Sequence, residues 1–584
     1  MLKPSYTAPL FLEFQTSMTR LLLIFIAIIS CHVQPSALFA QFHGQSKNGL
    51  VATVHPLATQ AAVRALERGG NAVDAALSAA FMLGVVDSHN SGIGGGCFIL
   101  VRNADGSTLA IDGREVAPAA ATRDMYLIDG KPSETLSKTG PLAAAVPTAV
   151  AAYHFAWQEA GDRQWLEIVE PSITVAREGF SLSASTASAL KSKRRDLARF
   201  PASAEIFLNE DGTPKSEGDM FIQADLAKTL SGIANNGPES FYQGRVAQLA
   251  DAAMRDTGGI MTAADFANYK PAIRVPVVSN YRGYTILGFP PASSGGIHVA
   301  QVLNILEKFD LARLYREDQA SFYHVIIEAM KLAFADRAYW LGDSDFAAVP
   351  KNLISQRYAN RLSRRIEFGS TTTVARHSNP PRHDSNTFGQ HTTHIAVADT
   401  QGNWVAMTQT INTHMGSKFV IPGTGVLLNN EMDDFSIAPG VPNAFGLLGS
   451  EANEVAPGKR PLSSMSPTIV LKNGVPVFTL GAAGGPTIIS QVIMGIVQFV
   501  DLGLSPEQQL SIGKVHHQWS PDYARITRAI DSSIADRLRG LGHELKVYSG
   551  FGVRQMIYRD PISGIFYGST DAKVPSTVSG PVQY

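Results

Sequence analysis

The chain's chemistry has to come from a short list of side chains. Only two cysteines, Cys31 and Cys97, are present. They allow at most one disulfide and exclude a cysteine-rich zinc module or a CxxC redox pair. His391, His394 and His414 lie close together in sequence, but His391-Thr392-Thr393-His394 is not HExxH. Residues i and i+3 of a strand also point to opposite faces, so no metal is expected here. There is no GxSxG elbow and no P-loop, which removes the usual serine-hydrolase and NTPase signals. A threonine remains. Thr392 stands where a polar stretch gives way to an apolar strand. If the chain is cut before it, its freed α-amine, with a reference pKa of about 7.7 to 8.0, can accept the proton of its own hydroxyl at neutral pH. A single threonine is more often an ordinary strand residue, so its surroundings must decide.

Those surroundings begin upstream. Among residues 370–391 only Val374, Ala375 and Phe388 are apolar, and an exposed, mobile segment is expected. Two apolar runs follow, His394 to Asp399 and Asn403 to Thr410, separated by Thr400-Gln401-Gly402. A three-residue loop ending in glycine predicts a type I turn closed by a G1 bulge. If Asp399 then faces Asn403, paired residue numbers sum to 802, and Thr392 lies opposite Thr410 on one face of the hairpin. Both hairpin faces are mostly apolar, as in a sheet covered on each side, which predicts a layered α/β sandwich. Residues 57–84 read as two packed helices interrupted by Gly69-Gly70-Asn71, and 149–198 and 319–340 as further helical stretches. Ser91 to Gly96 is almost all glycine. No Lys-Ser/Thr follows it, so it reads as tight backbone packing before a strand rather than a phosphate cradle.

With 584 residues, 45% hydrophobic and 17% charged, the composition is that of a core-forming globular chain. Forty-nine basic against 50 acidic residues leave a net charge of −1, which gives no field to attract nucleic acid or an anionic membrane. No repeat of fixed period is evident. Met18-Thr19-Arg20, the apolar run Leu21–Ile29 and the small residues of 30–40 have the order of a secretory signal, too short to span a bilayer. Export to the periplasm or medium is expected. Cleavage after Ala40 competes with a lipobox-like Ile28-Ile29-Ser30-Cys31, which would instead leave a lipid anchor on Cys31.

Several long motifs, in order, are similar to one known family. They are Gly70 to Ala76, Asn90 to Gly96, Ile111 to Glu115, Pro290 to Gly296, His391 to His394, Thr410-Ile411-Asn412, Leu428 to Phe435 and Lys459 to Thr468. Together they make the chain, from about Gly49 to Tyr584, resemble the gamma-glutamyltransferases. The resemblance implies an N-terminal nucleophile hydrolase fold, a four-layer αββα sandwich cut autocatalytically between His391 and Thr392. The expected products are a large subunit, 41–391, and a small catalytic subunit, 392–584, after a signal segment, 1–40. It further implies Thr392 as nucleophile, Thr410 as the partner of its new amine, and Gly484 and Gly485 as the oxyanion hole. Arg114, Ser463 and Ser464 would hold the α-carboxylate of a glutamyl group, and Asn412, Glu431 and Asp434 its α-ammonium. The implied donors are glutathione and other γ-glutamyl compounds, the acceptors water, amino acids or dipeptides, and no cofactor is needed. Glu431 stands where some bacterial members carry Gln, and Phe445 replaces a lid tyrosine of some relatives. Two alternatives stay open: an acylase acting on cephalosporins or other amides on the same fold, and an uncleaved surface binding protein.

Overall fold

The computed structural model describes residues 1, 42–374, 392–438, 440–571 and 576–582. The expected signal segment, Cys31, most of the polar stretch before Thr392, and His391 lie outside the described residues. From Gln41 onward the chain forms one compact unit.

Two seven-stranded antiparallel sheets organise it. The first runs, edge to edge, Thr577–Ser579, Leu50–Thr53, Thr393–Ala398, Trp404–Thr410, Gly96–Arg102, Thr108–Gly113 and Ala272–Arg274. The second runs His43–Ser46, Phe566–Thr570, Arg554–Arg559, Val475–Ala482, Thr468–Lys472, Tyr284–Gly288 and Val277–Tyr281. In both sheets, strands from before and after position 392 lie side by side. The helices Pro56–Glu67 and Ala72–Val86 cover the first sheet, and Gly295–Leu306 and Thr487–Val500 cover the second, with Gln319–Trp340 packed behind.

Side-chain size separates the layers. Ile395, Val397, Val405 and Met407 join the core between the first sheet and its helices. Their strand neighbours Ala396, Ala398, Trp404 and Ala406 face the second sheet with Leu287, Ile469 and Ile557. Large aliphatics fill the wide helix-side layer, and three alanines let the two sheets approach. The third core, beyond the second sheet, gathers Val302, Ile326, Phe478 and Ile493. This is the expected four-layer αββα sandwich.

The local expectations also fit. The two helices run Pro56–Glu67 and Ala72–Val86, and Asn71 starts the second with a capping box to Asp74. The hairpin pairs Thr393 with Gln409 through Ala398 with Trp404, the register that sums to 802. Asp399 closes the turn by accepting the Gly402 and Asn403 N–H groups at 2.9 Å each. The glycine run before the Gly96–Arg102 strand is packing: a Cβ on Gly95 would collide with the carbonyl oxygen of Thr410.

Candidate active site

Thr392 precedes the first residue of a central strand and is buried, with 6% of its surface exposed. Its hydroxyl lies 3.2 Å from that of Thr410, as the hairpin register required. Thr410 is itself oriented, because its Oγ1 accepts the Asn412 N–H at 2.8 Å. Asn412 sits at φ +71° and donates from Nδ2 to the Asn430 carbonyl at 2.9 Å. Thr392 has φ +127°, a conformation that β-branched residues rarely adopt.

Gly484 and Gly485 form the turn between strand Val475–Ala482 and helix Thr487–Val500. Gly484 has φ +130° and Gly485 φ +58°. Two observations make this turn a natural anion cradle. It precedes the N-terminus of a buried 14-residue helix, where the dipole favours negative charge. Among the described residues, neither glycine N–H is spent on a protein acceptor. The Phe445 ring lies over Gly485.

Arg114 projects from just beyond strand Thr108–Gly113 and is fully buried. Its Nε donates to the Pro461 carbonyl at 3.0 Å, Nη2 to Asp434 Oδ2 at 2.7 Å, and Nη1 to Glu431. The sequence expectation set Arg114 opposite Glu431 and Asp434 with a ligand between them, whereas the structure joins them directly. Burial lowers the affinity of Arg114 for its proton, but Glu431, Glu115 and Asp434 outweigh that and hold it above the ordinary arginine value. Burial pushes Glu431 well up, with Arg114 opposing. Asp434 is raised for the same reason.

Sequence reasoning gave no role to two neighbours. Glu115 is buried beside Arg114, at 3.5 Å from Nη1, and burial raises its carboxyl to about 7 against the pull of Arg114. It is the next residue in the quoted Ile111–Glu115 motif, so a signal was present. Arg337, on helix Gln319–Trp340, donates to Ser294 Oγ at 3.0 Å and Ser464 Oγ at 3.2 Å. It lies within a mostly apolar helix, and nothing in its spacing marked it. Ser463 Oγ accepts the Met465 N–H at 3.1 Å.

Thr392, Thr410, Gly485, Arg114, Asn412, Glu431, Asp434, Ser463 and Ser464 all line one cleft, with Gly484 adjoining in the chain. Its open volume is about 20 Å³, roughly one water, and Phe445 and Leu447 form part of its wall. A cavity of about 750 Å³ lies along the loop that carries them, lined by Trp340, Phe346 and Trp519 but by none of the expected site residues. Of the histidines, His394 packs under Gly481 and bonds Thr408 Oγ1 at 2.9 Å, whereas His414 stacks on His89. Among the described residues, no group of three His, Cys, Asp or Glu side chains is placed to hold a metal.

An αββα sandwich with a hydroxyl residue at the head of a central strand, beside a glycine turn, has the architecture of an N-terminal nucleophile hydrolase. Comparison with known proteins narrows this. The gamma-glutamyltranspeptidase family model matches residues 58–580. The glutathione hydrolase proenzyme of Escherichia coli (strain K12) is 40% identical over 533 residues, covering 91% of each chain. Among solved structures, a cephalosporin acylase from Bacillus halodurans superposes with a TM-score of 0.83 at 28% identity, over 95% of this chain and 99% of the other. The Helicobacter pylori gamma-glutamyltranspeptidase gives 0.55 at 39% identity, over 56% of this chain and 95% of its own. The chain belongs to the gamma-glutamyltranspeptidase family and is an enzyme of that class.

Proposed function

We propose that this chain is made as a precursor, cuts itself between His391 and Thr392, and then hydrolyses or transfers γ-glutamyl groups through an ester on Thr392. The observation that carries this is the convergence, in one cleft, of a strand-head threonine with an oriented hydroxyl and a paired Arg–carboxylate clamp. The strained φ of Thr392 supports the cut, because that angle is defined by the carbonyl carbon of residue 391 and relaxes once the bond is broken.

In the mature protein the Thr392 amine takes the hydroxyl proton as Oγ1 attacks the γ-carbonyl. The negative charge on the carbonyl oxygen is met by the N–H groups of Gly484 and Gly485. The amine returns the proton to the leaving nitrogen, the C–N bond breaks, and an acyl ester remains. Water or the amine of an acceptor then attacks the ester by the same steps in reverse. Arg114, with Ser463 and Ser464, takes the α-carboxylate, and Glu431, Asp434 and Asn412 take the α-ammonium, so a free α-amino-acid head is required. The donors are glutathione and other γ-glutamyl amides, and the acceptors amino acids or dipeptides. Export rests on the N-terminal signal pattern, and mass spectrometry of the mature N-terminus separates a lipidated Cys31 from a start at Gln41. Among the described residues, no helix is long and apolar enough to cross a membrane.

Freshly purified wild type should run as two bands, the smaller beginning at Thr392 by N-terminal sequencing. Thr392→Ala should give one uncut, inactive band. A wild type that stays uncut and inert sinks the reading. The structural match to a cephalosporin acylase favours a second reading, an amide acylase on the same fold, and a glutaryl-type acyl group would lack the ammonium. Preference for a γ-glutamyl over a glutaryl anilide decides against it.

A further inference from the structure

The cut that frees the Thr392 amine also removes the nucleophile's covalent tether on one side. A chain end is held only by what its side chains and next residues grip, and the next residue is Thr393. Its side chain points away from Thr392, as strand alternation demands, and its hydroxyl donates to Asp87 Oδ2 at 2.5 Å in a fully buried contact.

Asp87 is the C-cap of helix Ala72–Val86, and its other oxygen accepts from Asn90 Nδ2 at 3.0 Å. Asn90 reaches the second half of the site. Its carbonyl accepts the Ile411 N–H at 3.1 Å, and its Oδ1 lies 2.9 Å from His414 Nδ1. The His89 carbonyl accepts the Met415 N–H at 2.9 Å. The segment 87–90 is thus wedged into the open end of the hairpin. Through Thr393 it grips the nucleophile strand, and through 411–415 it grips the turn that follows Thr410 and carries Asn412. No residue of this wedge lines the cleft, and of the four only Asn90 falls within a motif shared with the family.

We infer that Asp87 is a positioning residue: by binding the Thr393 hydroxyl it holds the free end of the mature small chain and so sets the spacing between Thr392 and Thr410. This rests on the proposed cut before Thr392. Asp87 faces Thr393 on the strand, Asn90 and His89 on its own loop, the latter with Nδ1 3.5 Å away, and His414 stacked beyond His89. Burial, with His414 and His55 adding to it, holds His89 well below the ordinary histidine value, and among the described residues no cation is placed against the carboxylate. Desolvation raises Asp87 to about 7, while Thr393 and Asn90 pull it down. An ionised Asp87 accepts hydrogen bonds from Thr393 on Oδ2 and from Asn90 on Oδ1, whereas protonation of either oxygen costs it one of the two. The acid limb of kcat therefore carries two ionisations, the Thr392 amine and Asp87.

The test uses mature enzyme and a γ-glutamyl anilide, with kcat and KM measured across the acid limb. Misplacing a nucleophile by about 1 Å costs on the order of 10²-fold. Thr393→Val should lower kcat roughly 10- to 100-fold with KM changed less than about threefold, and Thr393→Ser should restore most of it. Asp87→Asn, which can still accept a hydrogen bond, should cost less and reduce the limb from two ionisations to one. If Thr393→Val is not recovered as folded protein, Asp87→Asn and Thr393→Ser carry the test. The inference is overturned if Thr393→Val keeps wild-type kcat, or if Asp87→Asn keeps the wild-type pH profile. A wild-type protein that is never cut removes the earlier reading along with it, and gel analysis distinguishes that case.

Discussion

Replacing Gly485 by alanine tests the oxyanion assignment through the close approach of the Phe445 ring to the turn. An added Cβ would come 2.6 Å from Phe445 Cδ1 and 2.9 Å from Cε1. To reach the 3.4 Å of ordinary contact, the turn and the ring must separate by about 0.8 Å. Either Phe445 yields, or the 485 N–H is pushed off the position where the oxyanion forms. One such donor is worth about 2.7–4 kcal/mol, a factor of roughly 10²–10³ in kcat. Since Phe445 is a side chain on a loop, part of the shift falls on it, and a loss near 10²-fold is expected. Residue 485 has φ +58°, so alanine there also pays about 1–2 kcal/mol of left-handed backbone strain. Phe445→Ala removes the clash but not the strain. That strain is present in ground and transition states alike and lowers stability rather than kcat, so the double variant should recover to close to the kcat of Phe445→Ala alone. Steady-state kinetics on a γ-glutamyl anilide for the four proteins of the cycle give the coupling directly. Additive effects, with no recovery in the double variant, would refute the idea that this clash controls the 485 donor. Gly484→Ala offers no such rescue, because its Cβ would meet the backbone carbonyl of Phe551.

Other predictions follow from single contacts. Thr410→Val keeps the shape but removes the hydroxyl next to Thr392 and leaves the buried Asn412 N–H without its acceptor. It should lower kcat by about 10²-fold, with a smaller effect on KM in steady-state kinetics. Asp571 is buried and chelates Lys514 Nζ with both oxygens at 2.7 Å. Burial alone would raise this carboxyl, but Lys514 and Arg554 hold it below the usual value. The unfolded chain thus binds its proton more readily, so the stabilisation is present above about pH 4 and is lost as pH falls through the folded value. Asp571→Asn should cost about 3–5 kcal/mol by denaturant titration at neutral pH, and less in acid. Lys418 is 3% exposed and donates to the Lys138 carbonyl at 2.9 Å. Burial lowers it to about 7. Between that value and the ordinary lysine range the unfolded chain binds more protons, so stability rises with pH there. Lys418→Met should raise Tm most below pH 7 and least near pH 10, and a uniform loss at all pH values would argue against a buried charge.

The parts of this molecule legible in its sequence are those governed by short-range rules. The Gly402 turn set the hairpin register, and with it the Thr392–Thr410 pair, because strand pairing repeats every two residues from a fixed turn. The Gly69-Gly70-Asn71 interruption marked the boundary between two helices. What stayed hidden depends on separations that no local pattern encodes. Arg337 reaches Ser464 across 127 positions and Thr393 reaches Asp87 across 306, and neither pair shares a spacing signal. Charge geometry was hidden for a different reason. The family resemblance supplied one arginine and two acids for a clamp, but its direct closure and the presence of Glu115 within it are consequences of packing.

The register also explains why folding and chemistry are hard to separate at this hairpin. Slipping one strand by a single residue would move Thr392 off Thr410. It would also turn Ile395 and Val397 into the narrow gap between the sheets, where Ala396 and Ala398 now sit, and send those alanines into the wide helix-side layer. The gap would be overpacked and the helix layer left with cavities, each costing on the order of 1–3 kcal/mol per residue. The penalty for misaligning the nucleophile is therefore imposed by the core before any substrate is present. A protein that depends on a chain end formed after folding needs such a constraint. The interior of the strand fixes where Thr392 lies, and the grip of residues 87–90 has to secure only its first residue.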